Sequence, residues 1–444
     1  MLKFYAFAMY FVFTVNYLLA QTKVVKTELG FQLIRNGAPY YVNGVGGEGN
    51  YEKMVQIGAN SVRVWGVENA QSVLDEAQKK GISVMLGLWM NQERQGFDYD
   101  NSEKVQKQFN YYKTIIERYK NHPALLMWGI GNELDLDYKN PNAWNAVQDI
   151  AKFIHQADPN HPTSTVTAGL DSMDVVYIKE RCPDIEILGI NTYGDIGNVP
   201  KNIKKFGWDK PYMITEWGPR GYWEAPQTEW KVSLEQSSSE KRELYYNSYQ
   251  NYIEPNKNYC LGSYAFFWGN KQEYTETWFG LFSKDNFPTE AVDALEENFK
   301  GEKIKNPAPS LSKISLDGKI ASENISLKAE ETFIAEVVPS IKDEKNKNVQ
   351  FNWRILEEST DKKSGGDAEE EAQEIQGLIV SRINSNSIKL RTPENPGNYR
   401  LFVTIKNNGK IAYANIPFRV LPRSSSDKQA KFVKFKYTTM KDFD

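Results

Sequence analysis

The chain contains few of the residues on which many catalytic sites depend. Its 444 residues include three histidines and two cysteines, and its formal net charge is −3. His122, His155 and His161 fall on predicted helices or just before predicted strands, which disfavours a metal site or a Ser-His-Asp triad. A charge so close to zero gives no field that attracts nucleic acid or an anionic membrane. With no CxxC motif or phosphate loop present, we expect no metal, no cofactor and no nucleic-acid partner.

The first 20 residues have the features of a secretory signal. Lys3 precedes an apolar run, Phe4–Val15, which is interrupted at Asn16. The run is short for a membrane span, which favours a cleaved signal over an uncleaved anchor. We therefore predict a signal peptide over residues 1–20, a secreted, periplasmic or cell-surface location, and no stable membrane insertion of the mature protein. Cys182 and Cys260 could pair in such a protein, but two buried thiols are the favoured interpretation.

Eight short apolar segments then alternate with amphipathic ones, which is the pattern of a (β/α)8 TIM barrel in the α/β class. An open doubly wound sheet is the alternative, but the Gly-rich stretch 44–49 lacks the spacing of a phosphate loop. A hairpin over Phe31–Tyr41, with Asn36-Gly37 as its turn, is expected to cap the bottom. The predicted helices include Ala70–Lys80, Lys104–Arg118, Ala143–Gln156 and Ser239–Ile253. The predicted strands are Tyr41–Val45, Ser61–Trp65, Ile82–Leu88, Leu125–Ile130, Thr163–Thr167, Ile185–Asn191, Tyr212–Glu216 and Gly262–Trp268.

The composition changes after Gly301, and two domains are expected from the length. We predict a catalytic barrel over 21–302, a linker over 303–310, an immunoglobulin-like β-sandwich over 311–422 and a flexible tail over 423–444. Within the sandwich, the charged stretch Glu357–Glu374 is predicted as a solvated loop without an assigned function, and the domain itself as a spacer that packs on the barrel. The predicted strands are Lys313–Leu316, Ile325–Ala329, Thr332–Val338, Gln350–Leu356, Leu378–Ile383, Ser387–Leu390, Asn398–Ile405 and Ile411–Val420, with a turn at Asn407-Asn408-Gly409.

Two predicted strands end on a glutamate. Leu125–Leu136 reads LLMWGIGNELDL and presents Glu133, and Tyr212–Gly218 reads YMITEWG and presents Glu216. A parallel barrel places the ends of its strands around one mouth. Two carboxylates facing each other there are what retaining glycoside hydrolysis requires, and Asn132 could bond the sugar 2-hydroxyl. A structural ion pair is the alternative, but buried carboxylates without partners are rare.

WGIGNE and ITEWG resemble the two catalytic signatures of clan A glycoside hydrolases, and the barrel is most similar to that of the β-galactosidase/β-glucuronidase family. The resemblance implies that Glu133 is the acid/base and Glu216 the nucleophile. In the motif NSVRVWG, Arg63 matches an arginine that keeps the nucleophile ionised. In GINTYGD, Tyr193 matches an aromatic residue that bonds the nucleophile. In YAFFWG, Trp268 matches the tryptophan that floors the subsite where the bond is cleaved.

Further substrate contacts are expected from aromatic residues at strand ends, because aromatic faces stack against sugar rings, although most aromatics in any chain belong to the core. The polar run NKQEYTET after the eighth strand could bond sugar hydroxyls through Gln272 and Glu273. Alternatively, its polar side chains could only form hydrogen bonds within the loop. The aromatic candidates are Trp65, Trp89, Trp217, Trp223 and Trp278.

A barrel followed by one immunoglobulin-like domain is similar to the endo-β-1,3-glucanases of glycoside hydrolase family 158. We therefore expect a secreted, monomeric retaining β-glycoside hydrolase that cleaves a β-glucan internally. β-1,3-Glucan is the first-ranked substrate. The alternatives are a β-glucan transglycosylase, an exo-acting β-glycosidase and a non-catalytic glycan-binding barrel. The expected partner is a polysaccharide or oligosaccharide substrate.

Overall fold

The computed structural model describes residues 21–340 and 349–423. The predicted signal peptide, and residues 424–444 of the predicted tail, lie outside the described residues. Eight parallel strands form a closed barrel in the order β10-β11-β4-β5-β6-β7-β8-β9, which confirms the predicted (β/α)8 barrel. The strands are β4 (Val42–Gly46), β5 (Ser61–Val64), β6 (Ser83–Leu88), β7 (Leu125–Ile130), β8 (Thr163–Ala168), β9 (Ile187–Asn191), β10 (Tyr212–Trp217) and β11 (Cys260–Phe266).

A three-stranded antiparallel sheet covers the bottom of the barrel. It consists of β1 (Thr22–Lys26), β2 (Phe31–Arg35) and β3 (Ala38–Tyr40). The predicted hairpin is present, because Asn36 and Gly37 adopt the positive φ values, 52° and 82°, that a tight turn between strands needs. Its Leu33 packs with the side chains that fill the lower barrel. β1 was not predicted, since its five residues are too few and too polar to stand out.

Helices surround the barrel and bury their apolar faces against the strands, which forms the main core of the protein. The predicted helix after β10 is interrupted, because α7 passes into a π-helical turn over Tyr249–Ile253. The helices are α1 (Tyr51–Gln56), α2 (Ala70–Lys79), α3 (Ser102–Tyr119), α4 (Asn142–Ala157), α5 (Ser172–Arg181), α6 (Val199–Lys205), α7 (Ser238–Ser248) and α8 (Glu290–Lys300).

The C-terminal residues form two β-sheets that share one apolar core around Trp353. One sheet has the order β12-β14-β16 and the other β13-β18-β17-β15. The predicted turn joins β17 to β18 through Asn408 and Gly409. The predicted strand Leu378–Ile383 is wrong, because this stretch makes only an isolated bridge from Ile379 to Leu390. The strands are β12 (Ser310–Leu316), β13 (Ser326–Lys328), β14 (Thr332–Ser340), β15 (Gln350–Glu357), β16 (Ser387–Arg391), β17 (Gly397–Asn407) and β18 (Lys410–Leu421).

Buried charges join these sheets to the barrel. Arg400 on β17 pairs with Glu358 at 2.8 Å and donates at 2.9 Å to the carbonyl oxygen of Ser233. The pair Lys241–Glu235, at 2.6 Å, lies in the same interface. Burial raises the pKa of Glu235, but the Lys241 ammonium, the hydrogen bond from Thr275 and the charge of Arg400 together outweigh burial, so the pKa lies below its ordinary value. Two hydrogen bonds cross the interface, from Arg400 to Ser233 and from Nδ2 of Asn415 to Glu235 at 2.6 Å, so the C-terminal domain packs directly on the barrel.

Two remaining expectations concern the thiols and the membrane. Cys182 and Cys260 are both free and buried, as predicted, and burial raises the pKa of each thiol to about 12. Over residues 21–340 and 349–423, none of the helices combines the length and the apolar character needed to cross a membrane.

Candidate active site

Glu133 is presented by a sharp turn at the end of β7. The backbone of Gly131 has a φ of 72° and that of Glu133 a φ of 50°, so the chain leaves the strand through two left-handed residues. Such a conformation is uncommon for a residue other than glycine and is strained. The N–H of Glu133 donates to the carbonyl oxygen of Val166 on the neighbouring strand, at 2.9 Å. The turn thereby fixes the carboxylate at the mouth of the barrel.

Glu216 lies near the end of β10 and is surrounded by donors. Its Oε1 accepts hydrogen bonds from Nη1 of Arg63 at 2.9 Å and from Nε1 of Trp65 at 2.7 Å. Its Oε2 accepts from the hydroxyl of Tyr193 at 2.8 Å. Hydrogen bonds to a carboxylate and a neighbouring cation both favour its negative charge. The carboxylate is therefore fixed in orientation and buried.

Asn191, the last residue of β9, bonds Glu133 directly and is linked to Glu216 through Arg63. Its Nδ2 donates to Glu133 at 2.9 Å, while its oxygen accepts from Thr215 at 2.9 Å and from Arg63 at 3.3 Å. Sequence reasoning missed this residue, although a polar side chain at the end of a buried strand was visible in the motif GINTYGD. Asn132 completes the network, because its oxygen accepts from Arg63 at 2.6 Å.

The protonation of Glu133 differs from that of an ordinary glutamate. Burial, and next the charge of Glu216, raise the pKa of Glu133 from 4.5 to about 7. The hydrogen bond from Asn191 and the charge of Arg63 act in the opposite direction but are weaker. A carboxyl with such a pKa can donate a proton near neutrality and take it back, which is what a general acid/base requires.

Both carboxylates line a cavity of about 850 Å³ at the C-terminal mouth of the barrel. Its size falls within the range of small-molecule and cofactor sites. Six of the predicted contact residues line it with them, namely Trp65, Trp89, Asn132, Tyr193, Trp223 and Glu273. The aromatic residues Tyr222, Phe266 and Phe267 also line it and were not predicted. The cavity therefore combines acidic groups with several aromatic faces.

Three predicted tryptophans lie away from the cavity. Successive side chains of a strand point to opposite faces, so Trp217 faces outward next to Glu216 and packs on Tyr245, with ring centroids 5.3 Å apart. Trp268 lies beyond the end of β11 and its Nε1 donates to the carbonyl oxygen of Gly49 at 3.0 Å. Trp278 is buried and its Nε1 donates to the carbonyl oxygen of Arg220 at 2.8 Å. All three are structural, and Phe266 lines the cavity where Trp268 was expected.

Two predicted polar contacts also differ in position from the expectation. Arg63 is 2% exposed and lies behind Glu216 instead of on the cavity wall, so it contacts the carboxylate and not the cavity. Gln272 lies outside the cavity, because the side chain of the next residue, Glu273, is the one that turns inward and pairs with Lys271 at 2.8 Å.

The C-terminal domain contributes part of the cavity. Ser364, Gly365 and Gly366, from the loop after β15, line it together with the barrel residues. The loop is held by Arg94, whose guanidinium donates to both oxygens of Asp367 at 2.9 and 3.1 Å. The prediction of a solvated loop without a role is therefore wrong for this part of Glu357–Glu374. Its charged composition reflects ion pairs with the barrel rather than contact with solvent alone.

A parallel barrel with two carboxylates and an aromatic-lined cavity at its C-terminal mouth defines the class of barrel glycosidases. Residues 49–301 match the family model described as "Glycosyl hydrolases family 2, TIM barrel domain". This match covers more than half of the chain, which therefore belongs to glycosyl hydrolase family 2, and the predicted clan A resemblance is confirmed.

Two curated relatives of the chain are a β-glucuronidase and a β-galactosidase. A β-glucuronidase of Chlorocebus aethiops is 24% identical over 183 residues, 36% of this chain and 26% of that protein. The β-galactosidase BoGH2A of Bacteroides ovatus is 27% identical over 219 residues, 40% of this chain and 24% of that protein. This chain thus spans about a quarter of the length of these two relatives. A solved β-D-glucuronidase of Dictyoglomus thermophilum superposes with a TM-score of 0.50 at 16% identity, covering 64% of this chain and 54% of that one, and shares the fold.

Proposed function

We propose that the protein is a secreted retaining β-glycoside hydrolase that acts on a neutral β-glucan. Among the β-glucans, we propose β-1,3-glucan as the preferred substrate. The observation that carries the proposal is the placement of Glu133 and Glu216 around one cavity, linked through Asn191 and Arg63. Residues 21–302 act as the catalytic barrel in this proposal. Residues 311–422 act as an immunoglobulin-like sandwich, and residues 1–20 as a signal peptide.

The two carboxylates take different roles because their surroundings differ. In the first step Glu216 attacks the anomeric carbon while Glu133 gives its proton to the leaving oxygen, which yields a glycosyl-enzyme and a free alcohol. In the second step Glu133 takes a proton from water, the hydroxide attacks the same carbon, and Glu216 leaves. Trp65 and Tyr193 hold the Glu216 carboxylate in orientation for both steps.

The charge of the cavity favours a neutral sugar over a uronic acid. Lys271 is the one cation among the described residues that line it, and its ammonium lies 2.8 Å from Glu273, which neutralises it. A sugar carboxylate would thus meet an acidic wall, and like charges repel. The acidic residues that line the cavity are Glu133, Asp137, Asp195, Glu216, Glu224 and Glu273.

Aromatic side chains support a β-glucan. Trp65, Trp89, Trp223 and Tyr222 line the cavity from three different loops, so more than one sugar ring can find an aromatic face. β-1,3-Glucan comes first because a barrel followed by one sandwich is similar to the β-1,3-glucanases of family 158. A monomer is part of the same proposal.

The test is hydrolysis of a panel of β-1,3-, β-1,4-, β-1,6- and β-1,2-glucans and aryl β-glycosides. Glu216→Gln is expected to lose at least about a thousandfold in kcat. The matched control is Glu290→Gln, because Glu290 is also buried but bonds Ser238 at 2.7 Å, away from the cavity. Near wild-type hydrolysis by Glu216→Gln contradicts the proposal, and products larger than the substrate would indicate a transglycosylase instead.

The order of roles has its own test. Glu133→Ala lacks the proton donor and the base but keeps the nucleophile, so it should accumulate a glycosyl-enzyme from an activated aryl glycoside. Azide, which needs no base, should then release a β-glycosyl azide with retained configuration. A product of inverted configuration from the wild-type enzyme contradicts double displacement.

A further inference from the structure

A segment of the C-terminal domain bridges the mouth of the barrel. Towards β11, the backbone N–H of Tyr274 donates to the carboxylate of Glu369 at 2.5 Å. Towards β6, Arg94 holds Asp367 through two hydrogen bonds, at 2.9 and 3.1 Å. A further contact ties the hydroxyl of Tyr222, after β10, to the carbonyl oxygen of Lys363 at 2.6 Å. The segment 361–371 is thus anchored to loops from both sides of the barrel.

Two glycines allow the segment to approach this closely. Gly365 and Gly366 have φ values of 62° and 71°, which residues other than glycine rarely adopt. A methyl group on Gly365 would lie 2.6 Å from Nη2 of Arg94 and 3.0 Å from Cδ2 of Leu136, in the loop after β7. β7 stands opposite β11 in the eight-stranded barrel. The segment therefore reaches across the mouth and not only along its rim.

The rim near β8 and β9, to one side of this segment, is open. Gly169, after β8, lines the cavity, and a side chain built there would meet no atom within 4 Å. Trp223, on the loop after β10, lines the cavity and is 54% exposed. A sugar chain can thus leave the cavity past β8 and β9, whereas Ser364, Gly365 and Gly366 stand in its path on the bridged side.

We propose that the segment 361–371 is a wall of the catalytic cavity that blocks one end of the substrate cleft, so that the enzyme attacks a chain end instead of internal bonds. The inference rests on the proposed glycosidase function and replaces the internal cleavage expected from the sequence. It makes the C-terminal domain a determinant of specificity rather than a spacer. The wall acts by excluding sugar rings, and it leaves the acid/base and nucleophile untouched.

The experiment follows which bond is cut in an oligosaccharide of six units labelled at its reducing end, of the linkage that the panel favours. The wild-type enzyme is expected to shorten it from one end, with one product size dominating the first turnovers. A variant with residues 362–370 replaced by a short Gly-Ser linker is expected to cut internally, and internal cuts should rise at least about fivefold as a share of all cuts. The variant should still hydrolyse an activated aryl glycoside, which reports that the carboxylates still work.

Point variants keep the proposal testable if the linker variant does not fold. Gly365→Ala should displace the wall and increase internal cuts, whereas Gly377→Ala should not. Gly377 has a φ of 78° in the same domain, and a methyl group there would meet nothing within 4 Å. Asp367→Asn weakens the anchor on Arg94, and exposed Asp317→Asn is its control.

The outcomes separate the two proposals. Internal cutting by the wild-type enzyme, with the same pattern in every wall variant, overturns the wall and leaves the glycosidase standing. If the wild-type enzyme hydrolyses no β-glycoside of the panel, the proposed function is wrong and the wall is wrong with it.

Discussion

The pKa of Glu133 should set the alkaline limit of the first chemical step. Burial and the charge of Glu216 raise the pKa of Glu133 from 4.5 to about 7. A general acid acts only when protonated, so the rate should fall as the pH rises through that value. With a pKa near 7, about nine-tenths of the enzyme carries the proton at pH 6 and about one-tenth at pH 8. We therefore expect kcat/KM to fall about tenfold between pH 6 and pH 8.

The assay compares two aryl β-glycosides with the same sugar and different leaving groups. An unactivated phenol needs the proton from Glu133 to depart, so its kcat/KM should show the full alkaline fall. A dinitrophenol departs without a proton, so its kcat/KM should stay within about twofold over the same pH range. The difference between the two profiles isolates the acid from any other group that titrates.

Glu133→Ala is the control for this assignment. It should lose most activity on the unactivated phenol, keep most of the first step on the dinitrophenol, and show no alkaline fall near pH 7. Two results would refute the reasoning. One is an alkaline limit below about pH 5, which would mean an unshifted carboxyl. The other is the same alkaline fall for both leaving groups.

Four further outcomes are expected. Glu133→Gln should stabilise the fold at pH 8. Because folding raises the pKa of Glu133, the free energy of unfolding of the wild type falls as the pH rises from about 4.5 to about 7. In urea unfolding, the neutral amide should recover about 1–3 kcal/mol at pH 8 but almost nothing at pH 4.5. Arg400→Met should lower the free energy of unfolding by about 3–5 kcal/mol because it leaves Glu358 buried without its partner, whereas the half-exposed Arg391→Met should lower it by less than about 1 kcal/mol. Arg63→Lys should lower kcat/KM about a hundredfold, since an ammonium cannot keep both branches of the guanidinium contacts; an effect on KM alone would contradict a role in orienting the nucleophile. An aryl β-glucuronide should be hydrolysed at least about a hundredfold more slowly than the matching glucoside, and equal rates would contradict the argument from cavity charge.

Much of the barrel was predictable because buried parallel strands are continuous apolar runs. Leu125–Ile130 has the predicted bounds, and the other seven strands differ from their predicted bounds by at most two residues at either end. The same property made both glutamates visible, since a charged residue at the end of an apolar run is costly without a function or a partner. Their shared cavity follows from the topology of the barrel.

The lining of the cavity was harder to predict, because a position near a strand end does not define a direction. Trp217 follows Glu216 directly and therefore points to the other face. Trp268 and Gln272 lie in the irregular chain after β11, where no periodicity indicates which side chain turns inward. Asn191 was overlooked beside Tyr193, although both belong to one motif and both bond a carboxylate.

The role of the segment 361–371 was not visible in the sequence for a physical reason. It is short of apolar residues, so composition alone favours a solvated loop. What fixes it is a set of partners more than 90 residues away, such as Arg94 for Asp367 and the backbone of Tyr274 for Glu369. Pairings at such separation depend on how the two domains pack, which no local pattern encodes.

This arrangement separates the chemistry of the site from its selectivity. The two carboxylates are held by barrel side chains that are buried and bonded to one another, such as Asn191 and Arg63. The wall is held instead by two ion pairs with the barrel, Arg94–Asp367 and Lys284–Glu371, and by a few hydrogen bonds, which contribute less to stability than a packed core. A substitution in the wall can therefore change which sugar chains enter at a small cost in folding. A substitution around Glu216 changes the chemistry itself, and the two classes of variant should be separable by one pair of substrates, a short aryl glycoside and a long oligosaccharide.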